Sequence, residues 1–379
     1  MDIELSELQR QLQVSARRFL EDRCPISLVR QLENSDPGLP HDLWSEMARL
    51  GWLGLPLPQE QGGAGLGLQD LVVLTKELGR ALCPVPYIPT VVVAGGLVAS
   101  AEGFSQREAI LERIVAGSLI VSFAFLERGQ YYDYREVEAR AVPSDDGFVI
   151  DGTKRFVEFA TVADMLLVAA RTGDGTSAEG LSLFLVDAAS PGLEFSRHHT
   201  SARDPQHRVT FRGVRVPRER LLGREGEGWR LLRPVLRRAV VASCGYMIGV
   251  AERAHALGVE YAKQRVQFGR PIGSFQAVQH YLAETITQVV AADTLTFYAA
   301  WCIDNGLPEE EVDSVVAKAK LAAGEAVKAA TFIAAQVHGG LGYIEDVDIT
   351  LFLRRGKQLQ LSMGGPRYWS EELAASLLS

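Results

Sequence analysis

From Gly228 onward the chain carries three long segments of helical texture: WRLLRPVLRRAVVASCGYMIGVAERAHALGVEYAKQR, FQAVQHYLAETITQVVAADTLTFYAAWCIDNG and EVDSVVAKAKLAAGEAVKAATFIAAQV. Each exceeds the roughly three turns of an average globular helix, and their Ala-rich faces allow close approach of helix axes. Such segments must pack against one another, so the sequence predicts a close-packed C-terminal bundle that leaves a face for another subunit.

The rest of the chain has two further textures. Leu5, Leu8, Leu12, Ala16, Phe19 and Leu20 recur at helical spacing, and HDLWSEMARLGWLGL and LQDLVVLTKELGRAL keep that period. Around Ser118 the pattern changes to short β-branched and aromatic runs after turn dipeptides: Asp146-Gly147 precedes FVI, Asp151-Gly152 precedes TKRFV, and MLLVAAR, LSLFLVD and VTFRGVRV follow. We expect an α+β protein with a helical domain over 1–118, a β-barrel or sandwich domain over 119–222, and a four-helix bundle domain over 223–379.

Composition excludes several classes. With 47% hydrophobic and 23% charged residues the chain is neither disordered nor collagen-like. Thirty-nine Lys+Arg against 47 Asp+Glu give a net charge of −8, the wrong sign for binding through nucleic-acid phosphates. Cys24, Cys83, Cys244 and Cys302 lie far apart in sequence without a CxxC pair, so neither a metal site nor a disulfide framework is expected. The start MDIELSELQRQ lacks a basic and apolar leader, and no uninterrupted apolar run approaches about 18 residues. The expectation is a cytoplasmic chain without membrane or nucleic-acid partners.

Three constellations could carry chemistry. In YAKQRVQFGRPIGSFQ, Arg265, Phe268 and Gly269 end one helix, a Pro-Ile-Gly turn follows, and a new helix is expected to open at Ser274. A guanidinium, a ring and free helix-terminal N–H groups together suit a phosphate-bearing ligand, although a structural turn with a surface Arg accounts for the same residues. In QVHGGLGY, Gln336 offers an amide and Gly339 and Gly340 allow close backbone approach. A Gly C-cap explains one of these glycines more readily than three, and His338 reads as an oriented structural histidine. Arg230, Arg233, Arg237 and Arg238 share a helical stripe, either an ion-paired face or a site for an anionic substrate group.

The domain order, with YAKQRVQFGRPIGSFQAVQH followed by QVHGGLGY, resembles the acyl-CoA dehydrogenase family over essentially the whole chain. DGTKRFVEFATVADMLLVAAR and VTFRGVRVPRERLLGREGEGW also look like its middle-domain strands and the exit into the third domain. The resemblance implies FAD and an acyl-CoA thioester as ligands, a glutamate that removes the α-proton, and electron-transfer flavoprotein as acceptor. It also implies an FAD site shared between subunits, with Arg265, Phe268, Ile272, Gln276, Gln336, Gly339 and Gly340 reaching a neighbour's flavin. Arg238 matches a family arginine and is carried over as substrate-binding.

Departures from the family pattern are as informative. Where the family writes Thr-Glu-Pro and Gly-Ser-Asp, this chain has the stretch from Phe125 to Asp133, which loses small hydroxyls. Phe156-Val157-Glu158 replaces Trp-Ile-Thr, and a carboxylate beside an electron-rich reduced flavin is unfavourable. The two positions where the family keeps its glutamate hold Arg237 and Met363, neither of which is a general base at neutral pH. Glu158 or Glu345 could substitute, though no spacing argues for either. No catalytic residue is assigned to this chain. In some family members, notably dehydrogenases of steroid side-chain thioesters, two kinds of subunit form heterotetramers, and one kind loses the base while keeping the trans flavin motifs. That pattern is the one expected here, with a self-sufficient homotetramer or a flavin-free CoA-ester-binding scaffold as alternatives.

Overall fold

The computed structural model describes residues 4–33, 35, 38–128 and 133–378. Of the stretch from Phe125 to Asp133, Gly129, Gln130, Tyr131 and Tyr132 lie outside the described residues. The chain divides into two compact units that cut across its linear order: Met1–Arg30 with Leu68–Cys83 and Val240–Ser379, and Gln31–Gly67 with Pro84–Ala239.

The first unit is helical. Helix α1 (Glu7–Arg23) starts in a capping box, where Ser6 Oγ accepts from Gln9 N at 3.2 Å and Gln9 Oε1 accepts from Ser6 N at 3.0 Å. After α2 (Ile26–Leu32) and α3 (His41–Arg49), which lead into the second unit, α4 (Leu68–Arg80) returns to pack on α1. Its partners are the later part of α7 (Gly228–Gln264), which approaches so closely that a Cβ at Gly249 would lie 1.8 Å from the Lys76 carbonyl oxygen.

Lys76 is buried between Asp293 at 2.8 Å and Glu252 at 3.2 Å. Burial opposes its charge, but the two carboxylates outweigh it and raise its pKa. Helix α8 (Gln276–Asp304) packs along α9 (Glu309–His338), and α10 (Ile349–Leu361) and α11 (Pro366–Leu378) pack on α9. By length and composition alone α8 could cross a membrane, with a mean hydropathy of 1.2 over a window that is 33% buried. Its buried side, including Thr285, Val289, Ala292 and Thr296, belongs to a helix that packs on α9 and α4.

A buried lysine closes the end of α10. Lys320, 2% exposed, donates to the carbonyls of Leu359 at 3.3 Å and Gln360 at 3.2 Å. Burial pushes its amine down to about 8, and burial also pushes the nearby Cys244 thiol up to about 12. All four cysteines are free and buried. Their spacing concealed one contact: Cys83 and Cys24 share a thiol hydrogen bond, which together with burial raises the Cys83 pKa.

In the second unit, α5 (Gly96–Ser100) and α6 (Arg107–Val115) accompany a twisted mixed sheet. Its strands are β1 (Val121–Ala124), β2 (Arg140–Ser144), β3 (Gly147–Glu158), β4 (Met165–Arg171), β5 (Leu181–Asp187), β6 (Leu193–Arg197), β7 (Gln206–Pro217) and β8 (Leu221–Leu222). The order is β6-β7-β3-β2-β4-β5-β8, with β1 parallel to β4. Every residue of β4 is buried, as expected for a continuous apolar run at the centre of a sheet. Phe148 and Phe184 meet edge to face at 5.0 Å inside. The α+β class expected from the sequence is the one observed.

Candidate functional site

At the end of α7 the chain forms an arm. Two short strands, β9 (Val266–Gln267) and β10 (Arg270–Pro271), pair antiparallel around Phe268 (φ 52°) and Gly269 (φ 76°). Two consecutive left-handed residues make the tight turn that suits a twisted hairpin. Ile272 N donates to Arg265 O at 2.8 Å, and the Arg270 guanidinium lies 4.1 Å over the Phe275 ring. Phe268 stands 92% exposed at the tip. The expected helix start at Ser274 is corrected: Ser274 lies in a 3-10 turn, its hydroxyl donating to Pro271 O at 2.7 Å, and α8 begins at Gln276 with Phe275 as N-cap. Pro271 fixes the turn, so the Ser side chain serves it rather than the helix.

The second motif closes α9. His338 donates from Nδ1 to the Ala334 carbonyl oxygen, 2.7 Å away, and stacks on Tyr261 with centroids 4.2 Å apart. This stack joins the last turns of α7 and α9, and with the hydrogen bond it fixes the orientation of the His338 ring. Gly339 adopts φ 62°, which favours glycine. A Cβ on Gly342 would lie 2.1 Å from the Ala335 carbonyl oxygen, so packing explains that glycine. Gly340 has an ordinary φ and nothing within 4 Å of where a Cβ would stand. Neither backbone nor packing demands it.

Arg265, Gln276 and Gln336 are exposed, and among the described residues none has a side-chain hydrogen bond or ion pair. Ile272 is half-buried in the turn between Arg265 and Gln276. An unpaired guanidinium, two free amides and glycine backbone open to approach are a donor set suited to a diphosphate.

The arginine stripe does not behave as one face. Arg230 is exposed and pairs with Glu227 at 3.3 Å, Arg233 is exposed, Arg238 is half-buried, and Arg237 is buried at 9% exposure. Pro234 lies inside the helix between them. In the helical unit, Met363 sits buried in a turn at φ 55°, with its carbonyl accepting from Trp369 Nε1 at 2.9 Å. Glu345 is exposed, and its carbonyl oxygen accepts from Arg30 Nη1 at 2.6 Å.

The β unit holds a polar pair that motif reading missed. Lys154, fully buried, donates to Glu127 Oε1 at 2.7 Å and to Phe125 O at 3.1 Å. Glu127 also accepts from the backbone N–H of Glu138 and Ala139, both at 2.9 Å. Burial lowers the Lys154 pKa, and Glu127 opposes that shift. The only sequence sign was a lysine inside a strand pattern. A register shift between Lys154 and Val157 on β3 leaves Phe156 at φ 52° and 40% exposed, stacked on His198 at 4.9 Å. Burial, then Arg155 and Arg208, lowers the His198 pKa and favours its neutral form. Glu158 follows, half-buried and paired in register with Gln206. Among the described residues no group of His, Cys, Asp and Glu gathers as metal ligands.

This three-part order and the two C-terminal motifs are those of the acyl-CoA dehydrogenase family. Its N-terminal, middle and C-terminal domain patterns match residues 6–118, 122–214 and 226–367, and the chain belongs to that family of FAD-binding oxidoreductases. It is similar to cyclohex-1-ene-1-carbonyl-CoA dehydrogenase of Geobacter metallireducens, 30% identical with 90% of each chain covered. Among solved structures, the ChsE4-ChsE5 complex from Mycobacterium tuberculosis has a chain 27% identical, with TM-score 0.90 and 100% and 99% coverage. The Tcur3481-Tcur3483 steroid ACAD is 33% identical with TM-score 0.87 and 98% of each chain covered.

The residues present suit the family's cofactor unevenly. The helical unit offers the diphosphate donor set described above, with Gly340 open to approach. The β unit puts Leu126, Phe156 and Glu158 where hydroxyl and indole donors are expected, and the polar atoms of Glu127 and Lys154 are spent on each other.

Proposed function

We propose that this chain is the base-lacking subunit of a heteromeric FAD-dependent acyl-CoA dehydrogenase and completes the FAD site of a second, glutamate-bearing subunit. The observation that carries the proposal is Gly340: an exposed glycine with no conformational or packing reason, beside unpartnered Gln336 and in the same unit as unpartnered Arg265. These groups are kept for something outside the chain. Arg265 would meet the diphosphate, Gln276 and Gln336 would orient it, and the Gly339-Gly340 backbone would approach it without a side chain in the way. Phe268 and Ile272 would supply apolar contact from the arm.

The bound FAD supplies the hydride acceptor for α,β-dehydrogenation of an acyl-CoA thioester, with electron-transfer flavoprotein as the next acceptor. Proton removal from the α-carbon then falls to the partner's glutamate. Arg237 and Met363 stand at the two positions where a base is expected, and neither takes a proton at neutral pH. Arg238 would meet a substrate oxygen. The domains in this assignment run 1–118, 119–222 and 223–379. That the steroid ACAD and ChsE4-ChsE5 relatives are complexes of two named chains supports a heteromer, and steroid or lipid thioesters as the substrate class.

The test is expression of the chain alone and with a glutamate-bearing homologue encoded beside it, followed by flavin quantification and an acyl-CoA screen. The expected result is a colourless single chain and a yellow, active complex. A yellow homotetramer with one flavin per chain and its own activity would overturn the assignment.

A further inference from the structure

A cavity of about 350 Å³ lies wholly in the helical unit, among α1, α4, α7 and α10. That volume is within the range of small-molecule sites. Leu20, Cys24, Leu257 and Phe352 give it an apolar lining, and Arg17, Arg80 and Arg253 bring three guanidiniums from three different helices. None of its residues belongs to the arm or to the glycine bend.

Three carboxylates, Glu21, Glu77 and Asp348, equal the arginines in number, but two are already engaged. Glu77 is buried and holds Arg17 through two bonds, Nε to Oε2 at 3.0 Å and Nη2 to Oε1 at 2.7 Å. Asp348 holds Arg30 at 2.8 Å, and Arg253 reaches Glu260 at 3.2 Å. Arg80 is left over. It is half-buried in the last turn of α4 and, among the described residues, has no side-chain hydrogen bond or ion pair. The negative end of the α4 dipole accounts for a cation at this position. It does not account for an apolar cavity opening beside one.

We propose that this cavity binds a small amphipathic monocarboxylate. Its acid group would pair with Arg80 in a two-point contact, and its hydrocarbon body would lie against Leu20, Leu257 and Phe352. Glu21, exposed at the rim, and Glu77 within disfavour a multiply charged ligand, which sets this site apart from one for a nucleotide-bearing thioester.

Octanoate and its neutral counterpart 1-octanol, titrated calorimetrically into the full-length chain in its native assembly, test the proposal. Octanoate should bind with a Kd below about 1 mM and at least about tenfold more tightly than 1-octanol. Arg80→Gln should remove that advantage while leaving 1-octanol binding and the circular dichroism unchanged, and Arg80→Lys should retain part of it. Leu257→Trp, which fills the cavity, should abolish both. Wild-type protein without saturable octanoate binding, Arg80→Gln binding it as tightly as wild type, or binding that survives Leu257→Trp in a folded protein would each overturn the proposal.

Discussion

In the arm and the glycine bend of the helical unit, Arg265, Gln276 and Gln336 face solvent without internal partners. In the β unit, Lys154 and Glu127 are sealed from water and satisfy each other and three backbone groups. The same chemical vocabulary thus serves opposite ends. A buried ion pair holds its own strands in place, and leaving one partner alone is costly. An exposed set with no internal obligation contributes little to folding and is free to bind. Substitutions in the closed set should therefore unfold the chain, and substitutions in the open set should change only what it binds.

The largest effect belongs to the closed pair. Lys154→Met leaves Glu127 charged and buried, and should cost about 3–5 kcal/mol in urea unfolding. Adding Glu127→Gln should recover part of the loss, and no loss in the single variant would break the contrast. Next is Lys320, the helical unit's own closed lysine. Its folded pKa of about 8 lies below the ordinary 10.5, so the unfolded chain binds more protons between those values. Stability from this group should rise with pH across that window, by on the order of 3 kcal/mol, and stay flat below it. Lys320→Met should abolish the rise in a melting series from pH 8 upward, and identical profiles for the two proteins would refute this.

On the open side, Arg265→Ala should shift stability by less than about 0.5 kcal/mol. In the complex it should weaken FAD retention at least about tenfold, roughly 1.4 kcal/mol, measured as flavin remaining after dialysis. Excess FAD should restore activity. Unchanged flavin content and activity in an intact tetramer would mean that the arm does not serve the partner. The smallest effect is expected for Met363→Glu, which should give the isolated chain no acyl-CoA oxidation. A base adds about 10²–10⁴-fold only where the other reacting groups are already placed. Measurable turnover would show that the β unit holds a working site.

The helices and the α+β class were legible because they follow apolar period, which is local. The arm was legible as a motif but not as a hairpin: its strands are two residues each, and nothing in RVQFGRPIGS announces pairing. Ser274 looked like an N-cap, but Pro271 upstream had already committed it to a turn. The arginine stripe looked uniform because spacing sees one helix, whereas burial of Arg237 against exposure of Arg233 depends on the surroundings. Lys154 with Glu127, Tyr261 with His338, and Cys24 with Cys83 all join residues remote in sequence. Only the folded chain brings them together.

The arm is already built before anything docks on it. Backbone pairing of β9 with β10, the Ile272 to Arg265 bond and the Arg270 contact on Phe275 hold its shape within a single chain. Association therefore pays no cost for ordering the loop. What remains is the rotational freedom of a few side chains such as Phe268 and Arg265, about 0.5–1.5 kcal/mol each. A surface that meets this arm gains nearly all of its contact energy as residence time, and a glycine inserted in place of Pro271 would surrender that advantage without removing any contacting group.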